Sequence, residues 1–287
     1  MKKNVVLGGS GLVGCSFREL VKENKKYIFF SKNKLKGFKR FNLDSNIKNF
    51  FYKEVDICFF FSSPRIFKKN LRKDIFEKEF FWLKKIISNL KINKFVYLSS
   101  SSVYYKTKHP VGLAKRKCEK YILKNKNKFD YLQIWRPFNL IAKKHVNSDH
   151  FYNFLFKKMF IEKKKDYLFS GNSMDERGYS SVNDFTKVLY KYSKKKISFL
   201  KNYGNDDLIT INEIVKLFNK YYFKKNKRYF IAKFKSNIVN INKINNKKNS
   251  IFSKKNSINV LKNYIKESLR WKNTAMYVEK NSKNFYL

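Results

Sequence analysis

Three glycines spaced three apart, Gly8, Gly11 and Gly14, constrain this chain more than anything that follows. Val5-Val6-Leu7 is a short apolar strand. It runs into Gly8-Gly9-Ser10-Gly11-Leu12-Val13-Gly14, and an amphipathic segment, Cys15 to Glu23, comes next. Strand, glycine-rich turn and helix in that order aim the backbone N–H groups of a helix N-terminus at an anion, typically a diphosphate. Each glycine has its own reason. Gly8 permits the tight turn, Gly11 has no Cβ to hold phosphates away, and Gly14 lets the helix pack close to the strand. The spacing predicts a nucleotide-cofactor site over Gly8–Gly14; an ordinary glycine-rich turn is the competing reading.

A chain of 287 residues is long enough for one large α/β domain or for two lobes sharing a core. Its 43% hydrophobic and 18% aromatic content excludes global disorder. No apolar run approaches the ~20 residues of a spanning helix, and Val55–Phe61 is only strand-length. With the glycine loop starting at residue 8, no secretory signal is expected before the first strand. Cys15, Cys58 and Cys118 are far apart and form no CxxC, which fits a reducing cytoplasmic setting better than a disulfide framework or a zinc site. His109, His145 and His150 show no metal-ligand spacing.

The formal net charge of +45 invites a nucleic-acid reading. The kind of charge argues against it. Only nine of the 66 basic residues are Arg, whose planar fork makes the bidentate contacts of phosphate and base recognition. The Lys residues are spread over the whole chain, and Lys, Asn, Ile, Phe and Tyr are all encoded by AT-rich codons. A solvated Lys surface set by base composition is therefore expected, with attraction for anionic substrates and nonspecific polyanion binding at low salt.

Along the first half, strands alternate with helices. Strands are predicted at Asn4–Leu7, Tyr27–Phe30, Ile57–Phe61, Phe95–Ser99 and Tyr131–Arg136. Helices are predicted at Gly11–Glu23, around Ile47–Phe51, and at residues 72–90 and 113–125. Apolar strands separated by helices indicate an α/β fold with a doubly wound parallel sheet, binding ligands at the carboxyl ends of its strands. Further helices are predicted at residues 150–160, within 178–193, over Ile211–Tyr222 capped by Thr210 or Asn212, and at residues 259–271. Residues 223–256, rich in Lys and Asn, read as either a strand pair or a loop. The expected division is a dinucleotide-binding domain over residues 1–143 and a smaller substrate lobe over residues 144–287, some of whose segments return to the sheet.

Six motifs in order resemble the extended short-chain dehydrogenase/reductase family, which contains NAD(P)-dependent nucleotide-sugar epimerases and dehydratases. They are the Gly8–Gly14 loop; Asp56-Ile57-Cys58-Phe59-Phe60-Phe61-Ser62-Ser63; Phe95 to Tyr104 with its serine run; Gly112-Leu113-Ala114-Lys115 with Glu119; Trp135-Arg136-Pro137-Phe138-Asn139; and Glu176 to Asp184. The resemblance covers residues 1 to about 189. It implies a Rossmann fold and hydride transfer to or from a nicotinamide, with an activated tyrosine exchanging the hydroxyl proton. Ser100 matches the hydroxyl that orients the substrate, with Ser101 beside it. Lys115 matches the lysine that holds the nicotinamide ribose, Asn139 and Arg177 match contacts to the substrate diphosphate, and Ser62 matches a small residue beside the cofactor. Asp44 resembles the aspartate near the adenine. Ser31 and Lys32, where NAD-specific relatives carry an acid, suit the 2′-phosphate of NADP slightly better than NAD. Arg177 has a second reading, as partner of a structural carboxylate such as Asp184. Family members often dimerise through two helices, here residues 72–90 and 113–125.

One position departs from the pattern. Val111 stands four residues before Lys115, where the family has its tyrosine, and the stretch from Ser100 to Val111 is short. Tyr104 or Tyr105 could replace the missing phenol; the chain could bind cofactor and nucleotide sugar without turnover; or the helix register could be shifted, against which Gly112, Lys115 and Glu119 all speak. The leading expectation is an oxidoreductase, epimerase or dehydratase acting on a nucleotide-activated sugar in polysaccharide synthesis, with Ser100, Lys115 and Tyr104 as its catalytic residues. A catalytically silent NAD(P)-binding relative and a polyanion-binding protein on the same fold are the alternatives.

Overall fold

The computed structural model describes residues 2–47, 50, 52–64, 73–104, 110–142, 151–236, 241–242, 244 and 247–270, with only the backbone path for 73–76 and 241–242. His109, His145, His150, Tyr105 and the tail past residue 270 lie outside them. The chain divides into two compact units, residues 1–137 with 183–203, and residues 138–182 with 204–287.

In the first unit, β1 (Lys3–Leu7), α1 (Leu12–Val21), β2 (Tyr27–Ser31), β3 (Lys39–Arg40), β4 (Glu54–Phe60), α2 (Lys73–Asn89), β5 (Lys91–Leu98), α3 (Pro110–Lys124) and β6 (Tyr131–Pro137) follow one another. The helix Val182–Ser193 and the strand Phe199–Gly204 return to this unit from later in the chain. Its strands are all parallel, in the spatial order Phe199–Gly204, β6, β5, β4, β1, β2, β3. The chain moves outward from β1 to β2 and β3, then crosses back to β4. That makes the gap between β1 and β4 the switch point, where such sheets bind ligands.

Both faces of the sheet are covered, so the strands read as unbroken apolar runs. On one face Val5 and Leu7 of β1, Cys58 and Phe60 of β4 and Phe95 and Tyr97 of β5 join Leu83, Ile86 and Ile87 of α2 and Cys118 and Ile122 of α3 in one core. On the other, Phe17 of α1 is fully buried, with its ring 4.9 Å from Phe59 and 5.7 Å from Tyr27. The helix α3 begins three residues earlier than expected because Pro110 fits the first helical position, and this places Val111 within its first turn. Of the segment around Ile47–Phe51, residues 48, 49 and 51 are not described; Phe50 N bonds Ile47 O at 2.8 Å.

The second unit has its own core. Tyr152, Leu155, Met159 and Phe160 pack with Ile214, Phe218 and Tyr222 of the helix Ile211–Asn226 and with Leu261, Tyr264 and Ile265 of the helix Ser257–Arg270. Among its described residues, the stretch 223–256 forms no strand pair of its own. Its first four residues extend the preceding helix, and its strands pair with earlier segments instead of with each other: Ile231–Phe234 with Asp166–Phe169, and Ile241–Asn242 with Glu176–Gly178.

Candidate functional site

Gly8, Gly11 and Gly14 do different physical work. Gly8 has φ +81°, and a Cβ there would stand 2.6 Å from Ser62 N, so the turn can lie directly against the end of β4. A Cβ on Gly14 would stand 2.5 Å from both Gly8 O and Gly9 O, so the first turn of α1 rests on the loop's own backbone. At Gly11 the nearest atom to such a Cβ is Gly8 O at 3.3 Å, and the rest is open space. Three backbone bonds fix the loop: Gly9 N to Phe30 O, Gly11 N to Gly8 O, and Phe61 N to Leu7 O. No side chain caps α1, and no acid stands in its first turn. Its first N–H groups are left to water or an external acceptor, at the positive end of the helix dipole.

A cavity of about 360 Å³ opens above this loop, lined by residues that include Gly8, Ser10, Gly11, Ser31, Lys32, Leu43, Ser62, Ser63 and Trp82. Ser31 Oγ donates to Ser10 Oγ at 3.2 Å, tying the end of β2 to the loop. Asp44, just beyond this lining, accepts from Trp82 Nε1 at 2.8 Å and lies 3.6 Å from Lys32 Nζ. Burial tends to raise the Asp44 pKa, but the Trp82 hydrogen bond and the charges of Lys78 and Lys32 prevail and hold it below the usual aspartate value. The expected cofactor residues Gly8, Ser10, Gly11, Ser31, Lys32 and Ser62 thus come together on one cavity; Gly9 packs against Phe29, and Leu12, Val13 and Gly14 form the helix turn beneath.

The serine run turns in several directions. Ser99 Oγ donates to Glu119 Oε1 at 2.5 Å, and Ser100 Oγ accepts from Ser102 N at 3.1 Å. Ser101–Tyr104 is a 3-10 turn in which Ser101 is buried and Tyr104 exposed. Glu119 is also held bidentately by Arg136, Nε to Oε1 at 2.9 Å and Nη2 to Oε2 at 2.5 Å. The third nitrogen of Arg136 donates to Tyr104 OH at 2.7 Å; that hydroxyl donates to Asn202 Oδ1 at 2.8 Å, and the guanidinium lies 5.0 Å from the Tyr104 ring centre. Tyr104 is therefore a held phenol beside a fixed cation. In the sequence Arg136 and Glu119 stand out only as motif members, and nothing marks Asn202, which reaches the site from a strand nearly seventy residues further on.

Lys115 is placed differently from what the resemblance implies. It is 5% exposed, its ammonium donates to Glu79 Oε1 at 2.6 Å and to Leu98 O at 2.9 Å, and it forms a buried ion pair with Glu79. Gly112 abuts Ser102 O, where any Cβ would collide, and Val111 has no proton to give. Glu79 was not singled out from sequence. The available signal was an acid at the i−4 and i−7 positions of the buried residues Leu83 and Ile86.

In the second unit, Asn139 takes a left-handed conformation, φ +33°, and its Nδ2 donates to Gly178 O at 3.1 Å, beside Arg177. The carboxylate next to Arg177 is Asp175, at 4.0 Å, in place of the suggested Asp184. Among the described residues no group of His, Cys, Asp and Glu could hold a metal ion, and no helix is long and apolar enough to cross a membrane.

No family model matches this sequence, and no curated protein matches it. Solved structures match in fold. UDP-glucuronic acid 4-epimerase from Bacillus cereus, solved with NAD and UDP-4-deoxy-4-fluoro-glucuronic acid, has a TM-score of 0.75 at 16% identity, over 92% of this chain and 99% of that one. UDP-N-acetylglucosamine 4-epimerase from Methanobrevibacter ruminantium M1, in complex with UDP-N-acetylmuramic acid, has 0.69 at 17% identity, over 96% and 100%. TunA, an NAD-dependent NDP-hexosamine 5,6-dehydratase of tunicamycin biosynthesis, has 0.71 at 14% identity, over 93% and 98%. The chain has the Rossmann-like α/β fold of these proteins.

Proposed function

We propose that this protein binds a nicotinamide dinucleotide in the cavity above Gly8–Gly14 and acts on a nucleotide-activated sugar; the structures of like fold include a UDP-sugar epimerase solved with NAD and an NAD-dependent NDP-hexosamine dehydratase. The observation that carries the reading is the glycine cradle at the switch point, whose packing leaves no room for side chains at Gly8 and Gly14 and whose uncapped helix faces a cavity. These residues fit the group. The first turn of α1 and Ser10 would hold its diphosphate, while Ser31, Lys32 and Ser62, with Asp44 beside them, would hold an adenosine. Lys32 meets Asp44 only through an exposed pair, worth at most about 1 kcal/mol. A 2′-phosphate can displace it, so the site is read as accepting both NAD and NADP.

A bound dinucleotide would supply hydride acceptance and return. The chain's own part is proton handling and orientation. Ser100 would orient the sugar hydroxyl. Tyr104 would exchange the proton in place of the residue missing at Val111, steadied by Arg136 and Asn202. Within the second unit taken by itself, Asn139 and Arg177 are the candidate contacts to a sugar-nucleotide diphosphate. Incubating the protein with NAD and a panel of UDP-glucose, UDP-N-acetylglucosamine and UDP-glucuronic acid, followed by NMR, tests this. A new UDP-sugar is expected from at least one, and Tyr104→Phe should reduce its formation at least a hundredfold while leaving NAD affinity unchanged. Formation undiminished in Tyr104→Phe refutes the assignment.

One observation favours a second reading. Lys115, which the resemblance places on the nicotinamide ribose, is spent on Glu79, and Val111 cannot replace a phenol. A protein that binds NAD but converts no sugar of the panel is the silent binder.

A further inference from the structure

Glu79 lies on the buried face of α2, 2% exposed. A carboxylate in that position costs several kcal/mol unless it is paired and hydrogen-bonded. Three donors satisfy it. Oε1 accepts from Lys115 Nζ at 2.6 Å and from Tyr97 OH at 2.7 Å; Oε2 accepts from Ser63 Oγ at 2.8 Å. Burial, with the Glu79 charge adding to it, holds the Tyr97 phenol well above its ordinary pKa, and the same two causes push the Cys118 thiol up to about 12. Both neighbours therefore keep their protons. Of the groups bonded to Glu79, only Ser63 lines the cavity; it is exposed and directly follows Ser62, against which Gly8 is packed.

A hydroxyl has one proton and two lone pairs. Ser63 gives its proton to Glu79, and Glu79, paired with the Lys115 ammonium, has none to give back. Towards the cavity Ser63 can therefore only accept. It can take up an O–H or N–H, whereas a phosphate oxygen, itself only an acceptor, finds no donor there. The first turn of α1, which opens on the same cavity, offers N–H donors. We infer that Glu79 is a positioning residue that sets the hydrogen-bond polarity of this cavity. Through Ser63 it requires a ribose hydroxyl or an amide at one place and leaves the diphosphate to the glycine loop. This rests on the dinucleotide reading and adds the direction in which the ligand lies.

The test is calorimetric titration of NAD onto the full-length protein and three variants, with a thermal melt of each. Ser63→Ala leaves the Glu79–Lys115 pair intact but takes the donor from Glu79 Oε2, so it should melt somewhat lower than the parent and stay folded; it is expected to bind NAD threefold to tenfold more weakly, the worth of one lost hydrogen bond. In Glu79→Gln the amide can donate to Ser63 Oγ, which turns the Ser63 proton outward. That variant should melt lower, because Lys115 loses its counter-charge, and should also weaken NAD binding. In Ser63→Ala/Glu79→Gln the polarity has no carrier, so NAD binding should be no weaker than in Ser63→Ala alone. Ser63→Ala binding NAD within twofold of the parent overturns the inference whether or not the Gln variant folds. So does Glu79→Gln melting lower with NAD affinity unchanged, which is a purely structural role. A parent that binds neither NAD nor NADP fails the dinucleotide reading itself, and that result is in hand before any variant is measured.

Discussion

At the scale of single residues, identity and environment separate what could be read in advance from what could not. The roles of Gly8 and Gly14 were legible because each is a steric demand of the local backbone, and the clashes a Cβ would meet there are with that backbone. Asp44 was legible by position only. Its partner Trp82 is 38 residues further on, brought there by α2. Lys115 shows the limit: the motif fixes its place on α3, but the Glu79 that receives its charge arrives from another helix. The Asp44–Trp82 contact gives a pH expectation. A carboxylate whose folded pKa is depressed contributes stability that is present above its unfolded pKa and is lost as pH falls through the folded value. Trp82 emission should therefore change in an acid titration with a midpoint below the usual aspartate value, and Asp44→Asn should remove that step. A midpoint at the ordinary value would show that the hydrogen bond and the Lys charges do not act on it.

Elements were legible where one periodicity decides them. The parallel strands of the first unit are runs such as Val5-Val6-Leu7 and Cys58-Phe59-Phe60, buried on both faces, and composition alone marks them. The strand Phe199–Gly204 was missed because Lys201 and Asn202 interrupt its apolar pattern, although it pairs along β6. The strands of 231–242 were misread for another reason: a pattern of alternation shows that a segment is extended but not what it pairs with, and their partners lie some 65 residues upstream. The helix Ile211–Asn226 shows a local signal that sufficed. Thr210 caps it, accepting from Glu213 N at 3.1 Å while Glu213 Oε2 accepts from Thr210 N at 2.8 Å. Thr210→Ala should cost about 1 kcal/mol in chemical denaturation. No change in the midpoint would mean that packing of Ile214 and Phe218 alone sets where the helix begins.

For the whole molecule, charge and fold act on different observables. A formal net charge of +45 makes the folded chain repel itself, and salt screens that repulsion over a Debye length of about 10 Å at 0.1 M. The melting temperature should rise between 20 and 300 mM NaCl, roughly, whereas binding to DNA or heparin should fall steeply over the same range. Polyanion binding that survived physiological salt would restore the reading set aside on the scarcity of Arg. Dinucleotide binding, by contrast, is decided at the loop at the switch point, and Gly11 is the position where a substitution reads it. A side chain there meets only Gly8 O at 3.3 Å and otherwise enters the open space of the cavity, so Gly11→Trp should fill the ligand's place without unfolding the protein. Calorimetric titration with NAD and with NADP, at salt high enough to suppress nonspecific attraction, is the decisive measurement. Saturable binding by the parent is expected, with at least a hundredfold loss in a Gly11→Trp protein that still melts cooperatively. A Gly11→Trp protein that binds either dinucleotide as tightly as the parent would contradict it.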